Sequence, residues 1–150
     1  MRTVIAACLI FSLLTPLAFA QEGLISVKSS HDVVTTADRL ESALREKGLT
    51  IFIRIDHAAG ARQIGQELLP TLLIIFGSPA MGTPLIERSR TIGIDLPLKA
   101  LIWQDRDGQV WLTYNDPAYL ASRHGITEMD DSINRMQQAL SNFAMAATLP

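Results

Sequence analysis

Asp56 and His57 are adjacent side chains that could transfer protons, and they are the first candidate site. They follow an alternating apolar segment, residues 49–55, which predicts a β-strand. Loops at strand ends often carry functional groups, and a carboxylate beside an imidazole suits acid–base catalysis. Asp56 is equally well placed to cap a short alanine-rich helix predicted over residues 57–64. We expect the capping role, with a catalytic pair as the alternative.

Gly77 and Ser78 form a second candidate site, because they join a strongly apolar segment to a predicted helix. Such a junction presents backbone N–H groups and the positive end of the helix dipole, which together can hold an anion. Ser78 is expected to cap the helix, with Pro79 in its first turn. The spacing from Gly77 to Gly82 resembles part of a phosphate loop, but Thr83 stands where that motif needs lysine. Nucleotide hydrolysis is therefore not predicted, and a tight turn explains the same residues.

Asp95, Lys99 and Tyr114 make a third candidate, a polar patch near the strand ends. The segment Asp95-Leu96-Pro97 predicts a bend that would direct Lys99 towards the following strands and pair it with Asp95. We expect only an exposed ion pair between Asp95 and Lys99, which contributes about 0–1 kcal/mol to stability, with the polar patch as the alternative.

The histidines His31, His57 and His124 could bind a metal together with Asp32 and Asp56, if the fold gathered them. The sequence contains no His-x-His or His-Glu-x-x-His spacing to support this. We therefore expect surface histidines, no metal site and no cofactor.

The apolar run at residues 71–76 is the central predicted strand. Its side chains are apolar on both faces, which is typical of a strand covered above and below or buried in a dimer. A helix is predicted in front of it, capped by Thr35, ended by Gly48, and carrying Ala37, Leu40 and Leu44 on one face.

A β-hairpin is predicted around the turn at residues 105–108, which has Asp at its first position and Gly at its last. This turn sets Asp105 opposite Gln109 and Trp103 opposite Trp111. An aromatic pair across two strands adds about 0.2–1 kcal/mol. We expect this pair to serve as a core or dimer contact, with a ligand platform as the alternative.

Residues 1–20 are predicted to be a cleaved export signal. Arg2 precedes an apolar stretch, and Ala18-Phe19-Ala20 has the small-x-small pattern of a cleavage site, which makes Gln21 the first mature residue. A membrane anchor would need about 20 apolar residues, and Pro16 interrupts this stretch. A periplasmic or secreted, soluble protein is predicted, with residues 21–150 as one domain.

Composition excludes several classes of function for the mature chain. The single cysteine, Cys8, lies in the predicted signal, so no thiol would remain. Without Arg2 the chain has 12 basic residues (13 minus one) against 15 acidic ones, a formal charge of −3. No basic cluster is present, which disfavours nucleic-acid binding. No segment after the signal has the length and hydropathy of a membrane span.

The order of several short motifs resembles the domain-of-unknown-function 302 (DUF302) family. These motifs are Gly65 with Pro70, the run from Leu73 to Pro79, the segment Ile94-Asp95-Leu96-Pro97-Leu98-Lys99, Trp103, Gly108 to Trp111, and Tyr114 with Pro117. The resemblance covers about residues 35–125, and Ser78 stands where the family often has Asn. It implies an α+β fold that is often dimeric, and no established activity.

Taken together, the sequence predicts an α+β fold, with a mixed or antiparallel sheet of about four or five strands and helices packed on it. The expected function is that of a small exported ligand-binding or interaction module, present as a homodimer. The alternative is an enzyme acting on a small anionic or carbonyl substrate. Asp56 and His57 would transfer protons there and the Ser78 helix end would hold the anion, so the two must line one cleft.

Overall fold

The computed structural model describes residues 22–127 and 131–150, and the predicted export signal lies outside them. Within these residues the strands are β1 (Leu24–Ser29), β2 (Thr50–Asp56), β3 (Thr71–Gly77), β4 (Leu98–Gln104) and β5 (Val110–Asn115). The helices are α1 (Val33–Glu46), α2 (His57–Gln63), α3 (Pro79–Arg88), α4 (Pro117–Arg123) and α5 (Asp131–Thr148), with a 3-10 helix at Arg90–Ile94.

The strands form one antiparallel sheet in the order β1-β5-β4-β3-β2. Strand β1 therefore lies beside β5, while every other pair of neighbouring strands is consecutive in the chain. This arrangement confirms the α+β class and the expected number of strands.

The residue that caps helix α1 lies three positions before the cap predicted from the sequence. The Asp32 carboxylate accepts hydrogen bonds from the Thr35 backbone N–H at 2.8 Å and from the Thr35 hydroxyl at 2.9 Å. These bonds lower the pKa of Asp32 below its ordinary value. Asp32 is therefore the capping residue, and the expectation that Thr35 caps the helix is wrong.

Alternate side chains of strand β3 are buried against the layer formed by helices α1 and α5. Leu72, Ile74 and Phe76 are buried in the core, whereas Leu73 and Ile75 on the opposite face are only half-buried. The expectation that this strand is covered on both faces does not hold within the single chain, because α1 and α5 pack together on one side of the sheet.

The side of the sheet facing away from α1 and α5 carries a row of apolar side chains, which we call the open face. Residues paired across antiparallel strands share a face, so the register assigns its members. They are Ile53 paired with Ile75, Leu73 paired with Ile55 on one side and Leu101 on the other, and Trp103 paired with Trp111. Ile53 is 49% exposed, and the other six are half-buried.

Candidate functional site

The enzyme alternative needs the Asp56–His57 pair and the Ser78 helix end in one cleft, and the register of β2 and β3 places them far apart. Asp56 pairs with Leu72 near the start of β3, whereas Gly77 ends that strand. Five residues at about 3.3 Å each place these positions about 17 Å apart. The His57 and Ser78 positions therefore lie at opposite ends of the sheet, and they do not line one cleft for a small substrate.

Asp56 caps α2, as expected from the sequence. Its carboxylate accepts a hydrogen bond from the Ala59 backbone N–H at 2.9 Å and lies 3.8 Å from the Arg62 guanidinium. His57 occupies the first position of the helix and is exposed. The local contacts of Asp56 are thus those of a helix cap.

Gly77 and Ser78 form the turn between β3 and α3. Ser78 occupies the capping position and Pro79 the first turn, but the Ser78 side chain makes no capping hydrogen bond to the helix. The Ser78 carbonyl oxygen instead accepts hydrogen bonds from the Met81 and Gly82 backbone N–H groups, both at 3.1 Å. The expected side-chain cap is therefore wrong, and the hydroxyl is free of that role.

A pocket of about 210 Å³ lies beside this turn, and we call it the end pocket. Strand β2, the β3–α3 turn, helix α3, the segment before β4 and helix α5 all contribute to its wall. Its apolar side chains are Phe52, Pro79, Met81, Ile86, Leu96, Pro97, Leu98 and Met136, and Gly77, Ser78, Gly82 and Thr83 also line it. The predicted Gly77–Ser78 site is thus part of a largely apolar cavity.

The structure forms neither the expected ion pair between Asp95 and Lys99 nor the alternative polar patch with Tyr114. The Lys99 ammonium donates hydrogen bonds to the backbone carbonyls of Asp95 at 3.0 Å and Pro97 at 2.9 Å, not to a carboxylate. Lys99 pairs with Ile75 on the open face, whereas Tyr114 is only 5% exposed in the core. Burial, helped by the charge of Asp116, raises the pKa of the Tyr114 hydroxyl.

Asp95 has a different partner, which the sequence analysis did not pair with it. Its carboxylate lies 2.6 Å from His124 Nε2 and 3.4 Å from the Arg123 guanidinium. His124 Nδ1 lies 2.9 Å from the Thr91 hydroxyl, which in turn lies 3.1 Å from the Ser89 hydroxyl. We call this set the Asp95 clamp. Because 29 residues separate Asp95 from His124, local spacing carries no signal for the contact.

The Asp95 clamp follows the order hydroxyl, imidazole, carboxylate, which activates nucleophiles in many hydrolases. Here it joins the end of α4 and the 3-10 helix to the segment that carries Leu96 and Pro97. Those two residues line the end pocket, whereas Thr91 and His124 do not. The contacts of the clamp therefore hold one wall of the pocket in place.

The structure does not gather the three histidines. His31 Nε2 lies 2.9 Å from the Leu149 carbonyl oxygen, His57 begins α2, and His124 belongs to the Asp95 clamp. Among the described residues, no group of three or more His, Cys, Asp or Glu side chains is arranged to hold a metal ion.

Trp103 and Trp111 pair across the hairpin as predicted, with ring centroids 6.4 Å apart and planes inclined by 22°. The Lys28 ammonium lies 5.4 Å from the Trp111 ring centroid. Both indole N–H groups are bonded within the chain, to the Thr113 hydroxyl at 2.9 Å and to the Asp105 carboxylate at 2.8 Å. With their polar atoms satisfied, the two indoles offer mainly apolar surface to a partner.

The architecture and the pocket define a small α+β domain with one antiparallel sheet, covered by helices on one side. The family model described as domain of unknown function DUF302 matches residues 25–143, so the chain belongs to the DUF302 family. A solved structure, described as an uncharacterized conserved protein DUF302 from Bacillus stearothermophilus, superimposes with a TM-score of 0.76 at 16% identity. It covers 85% of this chain and 99% of that one. The fold and the family expected from the sequence are thereby confirmed.

Several curated relatives carry the name of a fluoride channel. The protein named fluoride-specific ion channel FluC 1 of Brucella suis is 51% identical over 104 residues, which is 69% of this chain and 41% of that protein. The FluC 1 protein of Brucella abortus gives the same identity over 38% of its length. The chain thus spans about two fifths of these relatives. In residues 22–127 and 131–150, no helix has the length and hydropathy needed to span a membrane.

The hydrogen bond between Trp111 and Asp105 has a measurable consequence. It is the main cause of a lowered pKa for the Asp105 carboxyl, so Trp111→Phe should raise that pKa towards its ordinary value. Because the folded-state pKa is lowered, the contribution of Asp105 to stability is present above its unfolded-state pKa. It is lost as the pH falls through the folded-state pKa. Carbon NMR of the carboxyl group between about pH 2 and 6 measures the shift.

Trp103→Phe is the matched control, because the Trp103 indole bonds Thr113 and not Asp105. It should leave the titration of Asp105 unchanged. An unaltered pKa in Trp111→Phe would contradict the role assigned to this hydrogen bond.

Proposed function

We propose that this protein is an exported binding module that takes one small, mainly apolar molecule into the end pocket and acts as a homodimer. The observation that carries the binding proposal is the end pocket, where five segments of the chain converge on a cavity lined mostly by apolar side chains. A largely apolar pocket with a few polar groups is the usual form of a small-molecule site.

The size of the pocket limits the ligand. Its volume of about 210 Å³ is below the roughly 300–1,000 Å³ of sites for drug-sized molecules. A single ring or a short branched chain fits this volume. The apolar wall excludes a free anion, because burying an unpaired charge is costly. A neutral, fragment-sized molecule is therefore the proposed ligand class.

Ser78 supplies a polar group at the pocket wall. Its hydroxyl makes no capping bond to α3, so it can exchange a hydrogen bond with a polar end of the ligand. Gly77 beside it adds no side-chain bulk. The proposed ligand thus has an apolar body and one neutral hydrogen-bonding group.

The open face supports the homodimer. Five strands spaced by about 4.8 Å and about 20 Å long present roughly 500 Å² of flat area. The upright side chains increase that area towards the roughly 800 Å² per partner of a standard interface. A second copy presents the same apolar row, as a two-fold symmetric contact requires.

The N-terminal sequence supports export. Arg2, the apolar stretch behind it and the motif ending at Ala20 have the order of a secretory signal. The name of the fluoride-channel relatives describes longer proteins, and the wall of the end pocket is unsuited to a fluoride ion. We therefore place no fluoride site in this domain.

Export predicts removal of residues 1–20. Expression of the full chain in a bacterium should yield a periplasmic protein that begins at Gln21, because Ala18-Phe19-Ala20 matches the cleavage pattern. Intact mass spectrometry of the periplasmic and cytoplasmic fractions measures this. Ala20→Arg should block cleavage and retain the longer chain, and an uncleaved natural sequence would contradict export.

Ligand binding predicts selective changes at two methionines. Titration of ¹³C-methyl-methionine protein with cyclohexanol should shift the NMR signals of Met81 and Met136, which line the pocket. The signal of Met145, which is 43% exposed elsewhere on α5, should not move. Sodium fluoride at the same concentrations should shift neither pocket signal.

Gly82 offers a way to fill the pocket. A Cβ at Gly82 would lie 3.7 Å from Leu96 Cδ1, an ordinary contact, so Gly82→Leu extends a side chain into the pocket without a backbone clash. This variant should lose cyclohexanol binding. The control is Gly60→Leu in α2, where a Cβ meets nothing within 4 Å. Equal binding by wild type and Gly82→Leu would refute the proposed site.

The dimer proposal predicts twice the mass of the mature chain in sedimentation velocity at micromolar concentration. Leu101→Glu should give monomers, because it places a charge at the centre of the open face. The control is Val34→Glu on α1, where the side chain is 57% exposed on the helical layer. Circular dichroism confirms that each variant is folded, and a monomeric wild type would overturn the proposal.

A further inference from the structure

A β-bulge in β2 places Phe52 at the end pocket. Ile51 pairs with Phe76 and Ile53 pairs with Ile75, so Phe52 is an extra residue with no partner in β3. Bulges re-aim a side chain out of the regular strand alternation and are frequent next to functional sites. Phe52 lines the pocket although 54% of it is exposed. Its ring is thus held at the pocket by the backbone and not by burial in the core.

Gly77 leaves space between the Phe52 ring and the next part of the wall. A Cβ added at Gly77 would lie 3.6 Å from Pro97 Cβ and 4.0 Å from Phe52 Cε2. The edge of the Phe52 ring and the ring of Pro97 therefore lie on either side of the space next to Gly77, which has no side chain to fill it. A flat group could lie in this space against both rings.

Two methionines complete the wall. Met81 of α3 and Met136 of α5 line the same cavity as Phe52. Thioether sulfur is polarizable and makes favourable contacts with aromatic rings, often at the ring edge. Aromatic rings gain from a second ring in an offset or edge-to-face arrangement, beyond the area that they bury. A saturated ring of equal size gains neither contact.

We propose that the end pocket selects planar aromatic molecules over saturated ones of the same size, and that Phe52 is the residue that determines this specificity. The inference rests on the proposed function, since it requires that the pocket binds a small molecule. One ring–ring contact and its sulfur contacts correspond to a preference of about three- to tenfold in affinity.

Phenol and cyclohexanol test the inference as a pair, because they share a hydroxyl group and a six-membered ring and differ in aromaticity. Each is titrated into the ¹³C-methyl-methionine protein, and the shifts of Met81 and Met136 give the dissociation constants. Wild type should bind phenol about three- to tenfold more tightly. Phe52→Leu, which keeps an apolar side chain without a ring, should bring the ratio close to one.

Two further variants distinguish the effect of the Phe52 ring on the affinity ratio from the effects of neighbouring residues. Ile53→Leu changes the neighbouring residue, which faces the open face and not the pocket, and should keep the wild-type ratio. Met81→Leu removes one thioether at nearly equal size and should lower the ratio only in part.

The outcomes distinguish the two proposals. Binding of neither molecule would refute the end pocket as a ligand site and the specificity inference with it. Equal binding of both molecules by wild type would overturn the specificity inference and leave the ligand site supported. A preference for phenol that persists unchanged in Phe52→Leu would overturn the role of Phe52.

Discussion

The packing of alternate β3 side chains against α1 and α5 is the interaction on which the other features depend. Leu72, Ile74 and Phe76 enter the core, and this sets which face of every paired strand is covered. Because side chains alternate with a period of two, a slip of one residue would exchange the covered and uncovered sets. The register of β3 with its neighbours therefore determines the open face, the position of Gly77 at the end pocket, and the placement of Trp103 and Trp111 on the open face.

The local features of the fold were predictable because their causes are local. The Asp105–Gly108 turn has a side-chain chemistry that sets the hairpin register, and the pairing of Trp103 with Trp111 followed from it. The start of α1 was less predictable, since Asp32 and Thr35 can both cap a helix and only the backbone geometry selects Asp32. Local chemistry thus specified the elements better than their boundaries.

The candidate site was predictable only in part, because it depends on strand order. Gly77 and Ser78 were found from the strand-to-helix junction, and they do line the end pocket. No local sequence pattern indicates that Asp56 lies at the opposite end of the sheet from Gly77, or that Asp95 contacts His124. The Phe52 bulge was hidden for a similar reason, since an alternating segment gives no sign of which residue loses its partner. Such contacts require the register between distant segments.

The place of β1 beside β5 has a consequence for the order of events during synthesis. The hydroxyls of Ser26 and Thr113, 2.8 Å apart across these strands, are separated by 87 residues in the chain. At about 5–20 residues per second, the ribosome makes the second of them roughly 4–17 s after the first. Of the five strands, β1 is therefore the one that must wait longest for its partner. It can join the sheet as an edge strand only after the β4–β5 hairpin has been made.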